Sequence, residues 1–218
     1  MRPFWRLVLP HHWTWPRLDP VTQAHQIVLD KDVRGRREWP PTDPEPELDA
    51  LEPFVHGRVL ELGAGTGQVT ASLVAWADHV TALEPVARLW EQGASSVPAT
   101  WVLHEWEAWL APERFDTVVT AHMVHHECDR DELARWIGQH LVPGGVWVLL
   151  EPRHTWRRAV RLAYWWWRQY RHWPWDAYGA THDFLTHGEV RRLARLCRGR
   201  VVHRQRLTHA TLWVIRRG

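Results

Sequence analysis

Three glycines at alternate positions, Gly63, Gly65 and Gly67, follow the acid Glu61 in the run RVLELGAGTGQVT from Arg58 to Thr70. Glycine lets the backbone turn sharply and approach a ligand with no Cβ in the way, and the free amides of the helix start that follows are donors to a polar ligand. The dinucleotide spacing G-x-G-x-x-G needs its last glycine at 68, where Gln68 stands, so the pattern is E-x-G-x-G-x-G instead. A second acid, Glu84, closes the next apolar run, HVTALEP. A carboxylate at that strand end can accept hydrogen bonds from both hydroxyls of a ribose. The chemistry these residues suggest is the binding of a nucleoside-bearing cofactor.

The second group of reactive residues is FDTVVTAHMVHH, which ends in His122, Met123, His125 and His126. A histidine near neutral pKa can take a proton from a hydroxyl or an amine during a group transfer. The alternative for the same residues is that a histidine braces the loop that follows. With Cys128 they are numerous enough to be metal ligands, but no second cluster at finger-like spacing accompanies them and no metal is expected.

These residues need a parallel sheet to bring them to one edge. Val59, Leu60 and Leu62 read as a buried strand, and Val69, Leu73 and Val74 resume at helical spacing over about 68–77. Strands follow at Val80–Leu83, at TWVLH over Thr100–His104 and from Phe115. Asp129 is placed to cap a helix running to Leu141, with Leu133, Trp136, Ile137 and Leu141 on one face. Pro143, Gly144 and Gly145 make a turn before a strand over Val146–Leu150. Thr186 and Glu189 form a capping box, and RVVHRQRL and TLWVIRR make an antiparallel hairpin through Thr208 to Ala210.

The order of these landmarks resembles the class I S-adenosylmethionine (SAM) methyltransferases, of the small-molecule type similar to the ubiquinone and menaquinone biosynthesis enzymes. The resemblance is strongest over about residues 55–152 and rests on E-x-G-x-G-x-G, Glu84, Phe115-Asp116 and Leu-x-Pro-Gly-Gly at Leu141–Gly145. It implies a Rossmann-like, doubly wound α/β fold. The seven-stranded sheet would be mostly parallel, with an antiparallel C-terminal hairpin strand, a helical N-terminal arm and a Trp-rich cap. It implies SAM as cofactor, held by Glu61, Gly63, Ala64, Gly65, Gly67, Glu84, Pro85, Glu105, Trp106 and Ala121. In that family an acid after the third strand bonds the adenine amino group and the next residue flanks the ring, which carries over to Glu105 and Trp106. His122, His125 and His126 then lie on the methyl-bearing side as the catalytic candidates, with a small apolar, aromatic or amine acceptor; the alternatives are a lipid or quinone methyltransferase at a membrane surface and a non-catalytic SAM-binding regulator or partner subunit.

At 218 residues the chain suits one domain with a small cap: an arm and cap helices over 1–54, and a SAM-binding domain over 55–218 with a Trp-rich insertion at about 153–182. Within the arm, Asp19 and Pro20 start a helix that runs to about Val33. A charged, Pro-rich loop spans Arg34–Asp49, and Thr42 or Asp43 starts a short helix with Leu48, Leu51 and Phe54 inward. A helix over Thr155–Tyr170 carries Arg and Trp residues. It suits either the wall of an apolar pocket or an anionic membrane surface, and the membrane is the less favoured of the two. The net charge is +2, and Lys31 is the only lysine among 27 basic residues, with no run that marks a nucleic-acid surface. The Asn/Asp-Pro-Pro-Tyr/Phe segment of base-amine methylases is absent after the fourth strand, where AHMV stands, so nucleic acid is not an expected partner. Two cysteines give no disulfide framework, no leader or membrane span is read, and a cytoplasmic setting is expected.

Overall fold

The computed structural model describes residues 47–110, 113–127, 129–152, 185–208 and 210–218. The expected N-terminal arm with its Asp19-capped helix, the start at Thr42 or Asp43, and the Trp-rich helix and cap lie outside the described residues.

Seven strands form one sheet in the order β3-β2-β1-β4-β5-β7-β6. They are β1 (Arg58–Leu62), β2 (His79–Leu83), β3 (Thr100–Val102), β4 (Phe115–Ala121), β5 (Leu141–Pro152), β6 (Gly199–Arg206) and β7 (Ala210–Arg217). The pairs through β5 are parallel, and β7 is antiparallel to both β5 and β6. This is the doubly wound, mostly parallel sheet with an antiparallel C-terminal strand that the sequence predicts. The order reverses between β1 and β4, and the carboxyl ends on either side of that reversal are where such sheets hold ligands.

Four α-helices are described: α1 (Gln68–Trp76), α2 (Ala87–Ser96), α3 (Arg130–His140) and α4 (His187–Leu196). The two-residue period of β1 sends Leu60 and Leu62 to one face, where they meet Leu133 and Ile137 of α3 and Val190 and Leu193 of α4. Val59 goes to the opposite face with Leu73 of α1, and Leu48 and Leu51 join the same core. Those two leucines come from a pair of 3-10 turns, Leu48–Ala50 and Glu52–Phe54, in place of the expected short helix. Pro53 has no N–H to continue a helix, so the chain turns again at that point. Asp129 caps α3 by accepting from the Glu132 amide at 3.0 Å, and the Thr186–Glu189 capping box is complete.

Two further expectations are corrected, and one helix is added. The third strand stops at Val102, two residues early. The Val102 carbonyl takes the Glu84 amide at 3.1 Å, after which Leu103 and His104 are exposed and the His104 ring bonds the Glu105 carbonyl. The Pro143-Gly144-Gly145 segment does not precede the fifth strand as a separate turn but is a bulge within it, because Leu141 pairs Phe115 while Val146 pairs Thr117. Gly144 takes φ +81° there, a left-handed conformation that favours glycine. The helix α2 is absent from the sequence reading. It buries only Gly93, against the Trp101 ring, so no apolar stripe announces it.

That contact is testable. A Cβ on Gly93 would overlap the Trp101 indole, whose N–H is already held by the Val97 carbonyl at 3.0 Å. Gly93→Ala is expected to destabilise the fold by about 1–3 kcal/mol in urea unfolding. Adding Trp101→Leu should recover part of the loss; strictly additive costs would show that the two side chains do not meet.

Candidate functional site

The glycine turn is built as a clasp between β1, β2 and α1. Gly63, Gly65 and Gly67 all have positive φ, at +73°, +57° and +89°. The amides of Gly63 and Ala64 both donate to the Leu83 carbonyl, at 2.9 and 3.0 Å, which ties the turn to the end of β2. Glu84 completes the clasp: Oε2 accepts from the Gly65 amide at 2.8 Å and Oε1 from the Val86 amide at 2.9 Å. It is 4% exposed, and a carboxylate oxygen so engaged still has a second lone pair for a ligand. Pro85 follows directly, partly exposed.

Space at the turn is uneven. A Cβ on Gly63 would press on Met123, whereas no described residue lies within 4 Å of one on Gly65. Gly67 is the N-cap of α1 and offers no side chain to its first amides. An open approach at Gly65, a helix start without a side-chain cap and a buried acid beside them suit a polar, nucleoside-bearing ligand. The residues present therefore fit the expected cofactor.

Glu61 lies on the α1 face of β1, where the Thr70 hydroxyl donates to its Oε2 at 2.6 Å. Burial pushes its pKa up to about 8; the Thr70 bond opposes this and the nearby Glu84 adds to it. Past β4, Ala121 and His122 are partly exposed at the carboxyl edge. His122 has φ +54°, and its amide donates to the Leu150 carbonyl at 2.8 Å. His125 is buried in the 3-10 turn Val124–His126, with Nδ1 2.6 Å from Oε2 of Glu151. The structure thus gives His125 a bracing position. The side chain of His126 lies outside the described residues.

Trp106, the expected ring-flanking residue, is packed in the described core. It is turned into the core, 6% exposed and edge-on to Trp136 at 6.0 Å, because a large apolar ring gains more from burial under this loop than from exposure at its rim. Glu105 is only partly exposed, with one carboxylate oxygen buried. Glu127 is held high, at about 7, by burial and then by Glu107, while the Trp106 indole N–H and Arg130 oppose the rise. Cys197 is buried, and burial raises its thiol to about 12. Among the described residues no three His, Cys, Asp or Glu side chains converge as metal ligands, and no helix is long and apolar enough to cross a membrane.

Glu151, Arg130 and Glu127 were missed from the sequence. A signal existed for Glu151: it is an acid at the carboxyl end of a buried strand, as Glu84 is just beyond β2.

The sheet order, the E-x-G-x-G-x-G clasp and the acid at the end of β2 define the class I methyltransferase architecture. A methyltransferase-domain model matches residues 36–196, and the chain belongs to that family. Uncharacterized methyltransferases of Mycobacterium bovis and Geobacillus kaustophilus are 32% and 29% identical to it over 133 and 110 residues, which are 58% and 48% of this chain. The chain spans about half the length of these curated relatives, 53% and 51%. Among solved structures, 1,6-didemethyltoxoflavin-N1-methyltransferase of Burkholderia thailandensis, with bound 1,6-didemethyltoxoflavin and S-adenosylhomocysteine, is similar at TM-score 0.67. It is 19% identical, and the match covers 94% of this chain and 93% of that one. A DhpI-SAM-HEP complex is similar at TM-score 0.63 and 19% identity, over 94% of this chain and 100% of that one.

The shifted Glu61 has a pH consequence. Between about pH 4.5, where an unfolded glutamate ionises, and about pH 8, the folded chain keeps a proton that the unfolded chain has released. Stability therefore falls through this window as pH rises. Glu61→Gln, which keeps an acceptor for Thr70 but cannot ionise, is expected to gain melting temperature relative to the parent from pH 5 to pH 8. A constant difference across that range in thermal unfolding would contradict a neutral buried Glu61.

Proposed function

We propose that this protein transfers a methyl group from S-adenosylmethionine to a small apolar, aromatic or amine acceptor. The observation that carries the reading is the left-handed glycine turn clasped by buried Glu84 at the reversal of a 3-2-1-4-5-7-6 sheet. Family membership and the small-molecule methyltransferases among the structural neighbours support it.

When bound, the cofactor supplies an electrophilic methyl on a sulfonium, so the chain's own residues have to bind, orient and exclude water. Gly63, Ala64, Gly65 and Gly67 would hold the amino-acid part and Glu84 the ribose. Glu61 supports the turn through Thr70, Glu105 faces the adenine side, and Pro85 and Ala121 line the rim. Of the two histidines whose side chains are described, His122 is the one whose position favours proton acceptance, since it stands partly exposed at the end of β4 while the His125 ring bonds Glu151. The Trp residues at 156, 165–167, 173 and 175 supply aromatic faces in the sequence, and such faces attract a sulfonium or an ammonium.

Two measurements test this. Calorimetry should show SAM binding by the parent and its loss in Gly65→Arg, whose side chain would fill the open approach over the turn; unchanged binding by the variant would remove the reading. His122→Asn, chosen because Asn tolerates a left-handed backbone, is expected to lower kcat by about 100-fold or more with SAM affinity retained, the size of a lost general base. Full turnover in that variant would exclude His122 from proton transfer.

A further inference from the structure

The turn that follows β4 is held by opposite charges on its two sides. Its amides converge on Glu151, which is 1% exposed: Oε1 accepts from Met123 at 3.1 Å and Val124 at 2.9 Å, and Oε2 accepts from the His125 amide at 3.3 Å and from His125 Nδ1 at 2.6 Å. Its carbonyls converge on Arg130. Nε donates to Val124 at 3.0 Å and Nη2 to His125 at 3.2 Å. Arg130 is also 3.9 Å from Oε1 of Glu189, whose other oxygen accepts the Thr186 amide and hydroxyl at the start of α4. Burial alone would raise Glu151, but His125, His122 and the Val124 amide outweigh it and hold the acid below its usual range. An ionised carboxylate only accepts, so Nδ1 of the His125 ring bears a proton.

The same turn abuts the glycine clasp, because Met123 is the side chain that a Cβ on Gly63 would strike. We propose that Glu151 and Arg130 are positioning residues, a two-sided charged clamp that fixes the Met123–His126 turn and the His125 ring against the glycine clasp. The inference rests on the functional reading above in one respect: the clamp's purpose is to shape the cofactor site. Both are assigned to act through the turn. A scaffold role confined to folding would leave ligand affinity and the ring's proton position unmoved in any variant that folds.

The test uses the full chain with S-adenosylhomocysteine as probe. In Glu151→Gln the amide oxygen can still accept from Met123 and Val124, but the new NH2 group meets the His125 ring. The ring is then expected to lose its Nδ1 proton and carry one on Nε2 instead, which long-range 1H–15N spectra of the histidine side chains read directly. Affinity for S-adenosylhomocysteine should fall by about ten-fold or more as the turn shifts. Arg130→Gln should weaken binding similarly, and Arg130→Lys should restore only part, since one ammonium cannot reproduce the fork across two carbonyls. An unchanged His125 tautomer in Glu151→Gln, or parental affinity in either Gln variant, overturns the proposal. If Glu151→Gln does not fold, the Arg130 pair decides the matter by the same affinity criterion. If the parent itself binds no S-adenosylhomocysteine, the functional reading falls instead, and the clamp is judged on the His125 tautomer in the free protein.

Discussion

A carboxylate buried at the carboxyl edge of a parallel sheet has to be satisfied, and in this protein the backbone does most of that work. Glu61 on β1, Glu84 after β2 and Glu151 on β5 are each 4% exposed or less. Leaving such a group unpaired costs more than any single hydrogen bond returns, so the neighbouring turns are drawn into the shapes that bring donors to it. Gly65 and Val86 turn to Glu84, three successive amides turn to Glu151, and Thr70 reaches Glu61 from α1. The edge that ligands approach is thus organised around acids already inside the protein.

The three acids are not equivalent. Glu151 meets three amides and an ionisable ring and is held low, whereas Glu61 meets one hydroxyl and is pushed up to about 8. The difference follows chiefly from His125 beside Glu151, helped by His122 and the Val124 amide, since burial acts on both acids in the same direction. One edge therefore contains an acid that keeps its charge and an acid that keeps its proton. Left-handed backbone recurs at the same edge, at the three glycines of the turn and at His122. His122 pays for that conformation without being glycine, and the bond from its amide to Leu150 shows what holds it there.

Much of this was legible along the chain. The strand, glycine turn and helix at Arg58–Thr70 could be read because apolar runs and glycine spacing are local properties, and the Thr186 and Asp129 caps were readable for the same reason. The end of β3, the bulge at Pro143–Gly145 and helix α2 were not, since each depends on a partner distant in the sequence. Val102 ends its strand where the bond from Glu84 ends, Gly144 bulges because Val146 has to meet Thr117, and α2 packs through a glycine on Trp101. The packing of Trp106 against Trp136 was not legible either, since it depends on an aromatic partner 30 positions away.

The sequence by itself determined the class of fold and the kind of ligand its edge is made for, because periodicity, glycine spacing and strand-end acids act within a few residues of one another. Only the tertiary structure decided which histidine braces and which stands at the edge, and which acid ionises. Those properties depend on burial and on donors brought from elsewhere in the chain: Glu151 lies 26 positions from His125 and closes on it at 2.6 Å only when β5 has paired with β4.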